Sequence, residues 1–228
     1  MYLQQRIDGP SCAAVFVGDG QHAALIGLTL QLIGEPSFHA EPFHYCGSIG
    51  PLPISTGLRA HRGRLGDVLA GEFALVGLFG VDGIIANDEF WPVEVNPRYT
   101  ASVEILEAGL CVPAMSLHRD ACVNHRLSGN FTTPSDGTVI GKAILFADKA
   151  VVVPEWPEVA VLKLGRGASP MALPMMADIP NVGERIGAGR PICTVFAVHS
   201  SVQECRNSLV HAARAAYLET QRLHHLTR

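Results

Sequence analysis

The chain has 228 residues, 48% of them apolar and 17% Asp, Glu, Lys or Arg. With 17 Lys and Arg against 21 Asp and Glu the net charge is −4, which argues against electrostatic capture of nucleic acid or of an anionic membrane surface. The length suits one or two domains with a core that needs no disulfide or metal staple. Apolar runs are broken by Gln31 or Asp82 before the roughly 18 residues of a membrane span, and Met1 to Arg6 lacks the pattern of a secretory signal. The six cysteines show no C-x-x-C spacing, so neither a zinc ribbon nor a redox motif is indicated. A cytoplasmic protein is expected. Its charged fraction lies below the usual figure of about 25%. That favours an oligomer or a neighbouring domain, or simply reflects an Ala- and Gly-rich composition.

In chain order, Cys12–Gly18 and Ala23–Ile33 read as strands joined by a turn at Gly18-Asp19-Gly20. A polar, Pro-rich loop is expected over Gly34–Pro53, then a helix between about Thr56 and Glu72. Gly77–Ala86 and Phe90–Asn96 form a hairpin pattern, and Thr100–Ala108 a short helix stopped by Gly109. From about Thr133 the chain is rich in Gly, Pro and Val. Short β runs at Gly137–Phe146, Ala150–Val153 and Pro191–Ala197 suit a small barrel or sandwich. A terminal helix follows, with a capping box in Ser201-Val202-Gln203-Glu204 and an apolar stripe through Val202, Cys205, Leu209, Ala213 and Tyr217. The expected class is α+β, with parts at 1–115, 116–200 and 201–228.

The hairpin carries the chemistry. With Asn87-Asp88-Glu89 as a three-residue loop, Ala86 faces Phe90, Asp82 faces Glu94 and Gly80 faces Asn96. Alternation then puts Asp82, Glu94 and Asn96 on one face. Val81, Ile85, Trp91, Val93 and Val95 fall on the other, expected to be the core face. Opposed carboxylates roughly 4.5–5.5 Å apart repel, and a divalent cation removes that penalty. Mg²⁺ suits the set, since it takes one or two carboxylates and completes its shell with water and phosphate oxygens. Arg98, two residues past Asn96, would add a guanidinium beside the same phosphates. A solvated hairpin with an acidic face is the competing reading, because a slip of one residue moves Asp82 out of line.

Gly77-Leu-Phe-Gly-Val-Asp82 and Val93-Glu94-Val-Asn96-Pro-Arg98-Tyr-Thr-Ala-Ser-Val-Glu104 resemble the final strands of the ATP-grasp superfamily, in its biotin carboxylase-like and carboxylate–amine ligase-like forms. The resemblance implies that Asp82, Glu94 and Asn96 bind Mg²⁺ (or Mn²⁺) bridging the phosphates of ATP, and that Arg98 is catalytic. Leu3 to Pro10 resembles the hinge strand that meets adenine, implying nucleotide contacts from Gln4, Gln5 and Ile7 as well as Asp82 and Glu94. The family usually has Glu where Gln4 or Gln5 stands, but a Gln carbonyl oxygen still accepts a hydrogen bond. Gly137–Ala147 and Pro180–Ala197 resemble the barrel-sandwich-hybrid domain that follows the ATP-grasp core, and the last helix resembles its terminal helix; no Met-Lys-Met biotin-attachment site is present.

The implied fold is thus the C-terminal part of an ATP-grasp fold, an antiparallel sheet with helices, followed by that β domain. Lysines and a Gly-rich loop that clamp phosphates precede the hinge strand in such enzymes, whereas Lys142, Lys149 and Lys163 all follow the metal strands here. A separate N-terminal subunit or a homo-oligomer is therefore an expected partner. The implied reaction is ATP-dependent activation of a small carboxylate as an acyl phosphate, attacked by an amine or similar nucleophile. The alternative is a non-catalytic nucleotide-binding or scaffold subunit.

Other groups carry less. His39, His44 and Cys46 sit in one loop, where a soft metal site competes with pocket lining or packing over the ligand. Cys111 and Cys122 have no base fixed nearby. The glycine turns at 165–169 and 183–189 do not open helices, so a dinucleotide reading fails its context. His224 and His225 are expected to be solvated.

Overall fold

A computed structural model describes residues 3–127, 131, 137–156, 163–164 and 173–222; the turn at 165–169 and His224-His225 lie outside them. In chain order the strands are β1 (Ser11–Asp19), β2 (Ala23–Ile33), β3 (Tyr45–Gly50), β4 (Val76–Ala86), β5 (Glu89–Asn96), β6 (Val139–Phe146), β7 (Val151–Val152), β8 (Lys163–Leu164), β9 (Leu173–Pro174), β10 (Met176–Ala177), β11 (Arg185–Ile186) and β12 (Pro191–His199). The helices are α1 (Thr56–Phe73), α2 (Ala101–Leu110), α3 (Ala114–Asn124) and α4 (Val202–Arg222). The fold is mixed α/β with antiparallel sheet. Contacts divide the chain into one unit of Met1–Gln31 with Gly50–Ser135 and another of Leu32–Ile49 with Asp136–Arg228. No helix among the described residues is long and apolar enough to cross a membrane.

In the first unit the strands run β2-β1-β4-β5, each pair antiparallel, with β5 outermost. At the expected first turn, the Asp19 carboxylate accepts N–H bonds from Gln21 and His22. Side chains alternate along each strand, so β1 feeds two cores. Cys12, Ala14 and Phe16 pack with Phe79, Val81, Phe90 and Leu69 of α1, and Phe16 stacks on Phe79 with ring centroids 5.1 Å apart. Arg62 is fully buried here, its guanidinium 5.8 Å above the Phe90 ring. On the opposite face, Val15, Val17 and Leu78 meet Val103 and Leu106 of α2 and Leu117 and Ala121 of α3.

The hairpin differs from expectation in a way that cancels. Asn87 and Asp88 both take left-handed φ, at 53° and 61°, and Ala86 pairs with Glu89, so the loop has two residues in the I′ manner. Ile85 therefore pairs with Phe90. A bulge between Asp82 and Gly83 then adds one residue to β5, leaving Val93 without an opposite residue. Beyond it, Asp82 faces Glu94 and Gly80 faces Asn96 as expected. The expected core face is wrong for Trp91, which pairs with Ile84 on the acid face and is 41% exposed; Val95 keeps the face of its partner Val81 but, like the bulged Val93, is exposed, at 38% and 54%. Phe90 takes the core position instead, because the shorter turn moves the alternation by one.

Three other expectations change. Gly34–Pro53 is not all loop: it holds β3 and a short 3-10 turn at Pro36–Phe38. β3 reads as a turn because of its Gly and Ser, yet Gly47 is what lets it lie against β6, since a Cβ there would overlap the Lys142 carbonyl oxygen. The helix expected to stop at Gly109 runs to Leu110 and is ended by Cys111 in the left-handed region, φ 54°; Gly109 instead faces the Pro51 ring, where a Cβ would overlap it. α3 was not expected.

In the second unit β12 pairs antiparallel with β6 and β10, β3 lies beside β6, and β7–β11 and β8–β9 form two-residue ladders. Cys205, Leu209 and Ala213 of α4 are fully buried. At its start Ser201 Oγ accepts the Glu204 N–H at 3.2 Å. The Glu204 carboxylate accepts the Ser200 and Ser201 hydroxyls, so half of the expected capping box forms as drawn. The I′ geometry generates a prediction. Asp88→Gly should stabilise the chain by up to about 1 kcal/mol, because glycine takes left-handed φ without steric cost; the urea unfolding midpoint measures it.

Candidate functional site

α2 and α3 cover only part of their face of the first unit's sheet. Thr29 Oγ1 donates to Ser102 Oγ at 2.8 Å, which ties β2 to the first turn of α2. On the same face lie Asp82, Ile84, Trp91, Glu94 and Asn96, since residues paired across a ladder share a face. Asp82 is half-buried and Glu94 exposed, while Asn96 is 9% exposed.

Asp82 is held at both oxygens. Gln31 Nε2 donates to Oδ1 at 2.9 Å, and Asn96 Nδ2 donates to Oδ2 at 3.1 Å. Arg98 Nη2 donates to Asn96 Oδ1 at 3.3 Å, and its Nη1 to the Tyr99 carbonyl at 3.2 Å. Asp82, Glu94, Asn96 and Arg98 thus come together, with Gln31 as a member that the hairpin pattern alone does not reveal. Burial first, and then the Glu94 charge, push the Asp82 carboxyl above the ordinary carboxylate value; the bonds from Gln31 and Asn96 and the Arg98 charge pull the other way. Two carboxylates and an amide on one face form a hard-oxygen donor set of the kind Mg²⁺ takes with water and phosphate. Among the described residues there is no cluster of three His, Cys, Asp or Glu, so the set rests on two acids and an amide.

Gln4, Gln5 and Ile7, expected in a hinge strand, lie at the far end of the same hairpin. The Ile85 N–H donates to the Pro10 carbonyl at 3.1 Å, and a Cβ on Gly9 would overlap the Ile85 carbonyl oxygen. Glycine therefore permits the chain at Gly9 to lie close against β4. There Gln4, Gln5, Arg6 and Ile7 line a cleft of about 470 Å³ with Ile84, Trp91, Pro92 and Val93. Ile84 is two residues from Asp82, roughly 7 Å along the strand. The exposed Trp91, misplaced in the core by alternation from a three-residue loop, is a wall of this cleft.

The remaining candidates separate. His39 stacks on Tyr217, with centroids 4.1 Å apart, and His44 lies 6.3 Å from the Phe146 ring. The Cys46 thiol donates to the Leu32 carbonyl, so these three side chains do not converge on a metal. Cys122 Sγ is 3.7 Å from His118 Nε2. The Leu78 N–H, however, donates to Nδ1 at 3.0 Å, so the neutral ring carries its proton on Nε2 and cannot take one from the thiol.

Residues 2–102 match the ATP-grasp domain family, a span that contains every candidate from Gln4 to Arg98. The chain has the ATP-grasp superfamily fold. Among solved structures it is similar to the L-amino acid ligase from Bacillus licheniformis, with TM-score 0.65 and 14% identity over 91% of this chain and 53% of that one. It is similar to the phosphoribosylamine–glycine ligase from Thermotoga maritima, with TM-score 0.64 and 13% identity over 92% of this chain and 53% of that one. The Kluyveromyces lactis urea carboxylase aligns with TM-score 0.58 and 15% identity over 89% of this chain and 18% of that one. The chain spans about half the length of the first two. Comparison with curated protein sequences finds no match.

The acid pair in this ATP-grasp fold generates a stability prediction. A carboxyl raised in the folded state keeps its proton longer there, so ionisation costs native stability as pH rises through the carboxylate range. Without cation at pH 7, Glu94→Gln should stabilise the chain by about 0.2–1 kcal/mol. The gain should vanish below the carboxylate range; thermal unfolding in chelator at the two pH values tests both halves.

Proposed function

We propose that this chain forms the Mg-ATP-binding part of an ATP-grasp-type ligase that activates a carboxylate as an acyl phosphate for attack by an amine or similar nucleophile. The observation that carries the reading is the register of the hairpin: Asp82 opposite Glu94, with Asn96 on the same face and Arg98 bonded to Asn96. The match over residues 2–102 supports it.

Asp82, Glu94 and Asn96 would hold Mg²⁺ or Mn²⁺, which when bound supplies neutralisation of triphosphate charge. As drawn, Asn96 turns its nitrogen to Asp82 and its oxygen to Arg98; rotation of the amide presents the oxygen instead. Gln4, Gln5 and Ile7, with Ile84 and Trp91, accept the base in the cleft, and a Gln carbonyl oxygen can take the exocyclic amino group. Arg98 places a fixed positive charge where the γ-phosphoryl passes to a carboxylate oxygen, and phosphoryl transfer depends mainly on such positioning and neutralisation. The bond from the γ-phosphorus to the β–γ bridging oxygen breaks and ADP leaves. The amine then displaces phosphate from the acyl carbon and loses its proton. The second unit, with its short antiparallel ladders, fits the barrel-sandwich-like module that follows such cores.

Trp91 makes binding measurable. The chain has two tryptophans, and in a Trp156→Phe background Mg-ATP should change the emission of Trp91 alone. Glu94→Ala should weaken Mg-ATP binding by about tenfold, or about 1.4 kcal/mol, with little effect in chelator. No response of Trp91 to nucleotide would remove the proposal, and binding without turnover in the full-length protein would favour the scaffold reading.

A further inference from the structure

Asp82 is fastened from a strand that is not its neighbour. β1 lies between β2 and β4, and Ala13 pairs with both Thr29 and Asp82. Gln31, two residues past Thr29, therefore stands on the same face and reaches across the whole width of β1 to donate to Asp82 Oδ1 at 2.9 Å. Two strand spacings are roughly 9.5 Å, a gap that Asn could not bridge. β1 presents only Ser11 and Ala13 on that face at this point, so nothing bulky stands in the way.

From this juxtaposition we infer that Gln31 is the positioning residue of the cation site: its amide fixes the plane of the Asp82 carboxylate so that the remaining lone pairs of both oxygens face the ligand. The inference rests on the functional reading above and adds to it a residue outside the hairpin. A carboxylate oxygen has two lone pairs, so the Gln31 bond leaves one on Oδ1, and rotation of the Asn96 amide frees both on Oδ2 for a metal. With Gln31 removed and the Asn96 amide rotated to the cation, neither of these bonds restrains the Asp82 side chain, and the negative charge of Glu94 drives it away. Partners that orient a metal ligand typically contribute 10–100-fold to metal affinity.

The test uses the full chain, with Mn²⁺ as the cation and ATP as the nucleotide. ATP affinity is measured with Mn²⁺ and again in chelator, together with the unfolding midpoint in chelator. Gln31→Met preserves length and Gln31→Asn preserves the amide while shortening it. In both, the enhancement of ATP binding by Mn²⁺ should fall about tenfold, with cation-free ATP affinity unchanged and the midpoint lowered no further than the loss of one hydrogen bond requires. On an Asp82→Asn background the Gln31 substitutions should have no further effect, as a shared interaction requires. Enhancement within twofold of the native chain in both variants overturns the role of Gln31 and leaves the cation site standing. Absence of any Asp82-dependent enhancement in the native chain overturns both.

Discussion

Asp82 and Glu94 face each other across an antiparallel ladder, and like charges so placed destabilise a sheet. The surrounding structure is arranged to hold that pair. Asn96 and Gln31 bond the two Asp82 oxygens, and Arg98 lies beyond Asn96. The bulge at Val93 sets the register: without it, the two-residue turn would bring Val93 opposite Asp82 and turn Glu94 to the other face. A strand with no other demand on it would gain more from an uninterrupted ladder. The bulge is therefore best understood as the device that aims Glu94.

The first unit's architecture separates cover from access. α2 and α3 pack on Val15, Val17 and Leu78, at the end of the sheet away from the acids. At that end β5 no longer runs beside β4, and His118 of α3 satisfies the Leu78 N–H. Toward the hairpin tip no helix among the described residues covers this face. What lies there is polar or half-exposed, and residues 4–7 line a cleft with it. The apolar Trp91 and Val93 are exposed on an outer strand, where they would be a liability unless a flat ligand occupied the space.

Much of this was legible because alternation is a local rule. The strands β1, β2, β4 and β5, the helix α1, and the pairing of Asp82 with Glu94 all follow from patterns within some twenty residues. A three-residue loop is one residue longer than the real turn and the bulge offsets it, so the acids keep their pairing while Phe90 and Trp91 exchange faces. Left-handed φ at Asn87-Asp88 was available as a signal, since Asn and Asp tolerate it. α3 also left a trace in Ala114, Leu117 and Ala121, but an apolar spacing of three and four among polar neighbours is weak in an eleven-residue helix. Gln31 could not be read at all. Its partner lies two strands away, and no periodicity carries that distance.

Magnitudes decide what the acid pair can do for a cation. Relief of cross-strand repulsion is worth about 0.2–1 kcal/mol, at most roughly a fivefold gain in affinity. Two carboxylates and an amide also leave half of an octahedral Mg²⁺ shell to be filled from elsewhere. A site of this make-up holds a bare ion weakly and an ion carried on phosphate oxygens far better. In the proposed reading cation and triphosphate would bind with positive coupling, each raising affinity for the other by the same factor. In that reading the cleft about two residues up the strand would add a third contact, so that nucleotide length, and not metal affinity alone, would set what the hairpin holds.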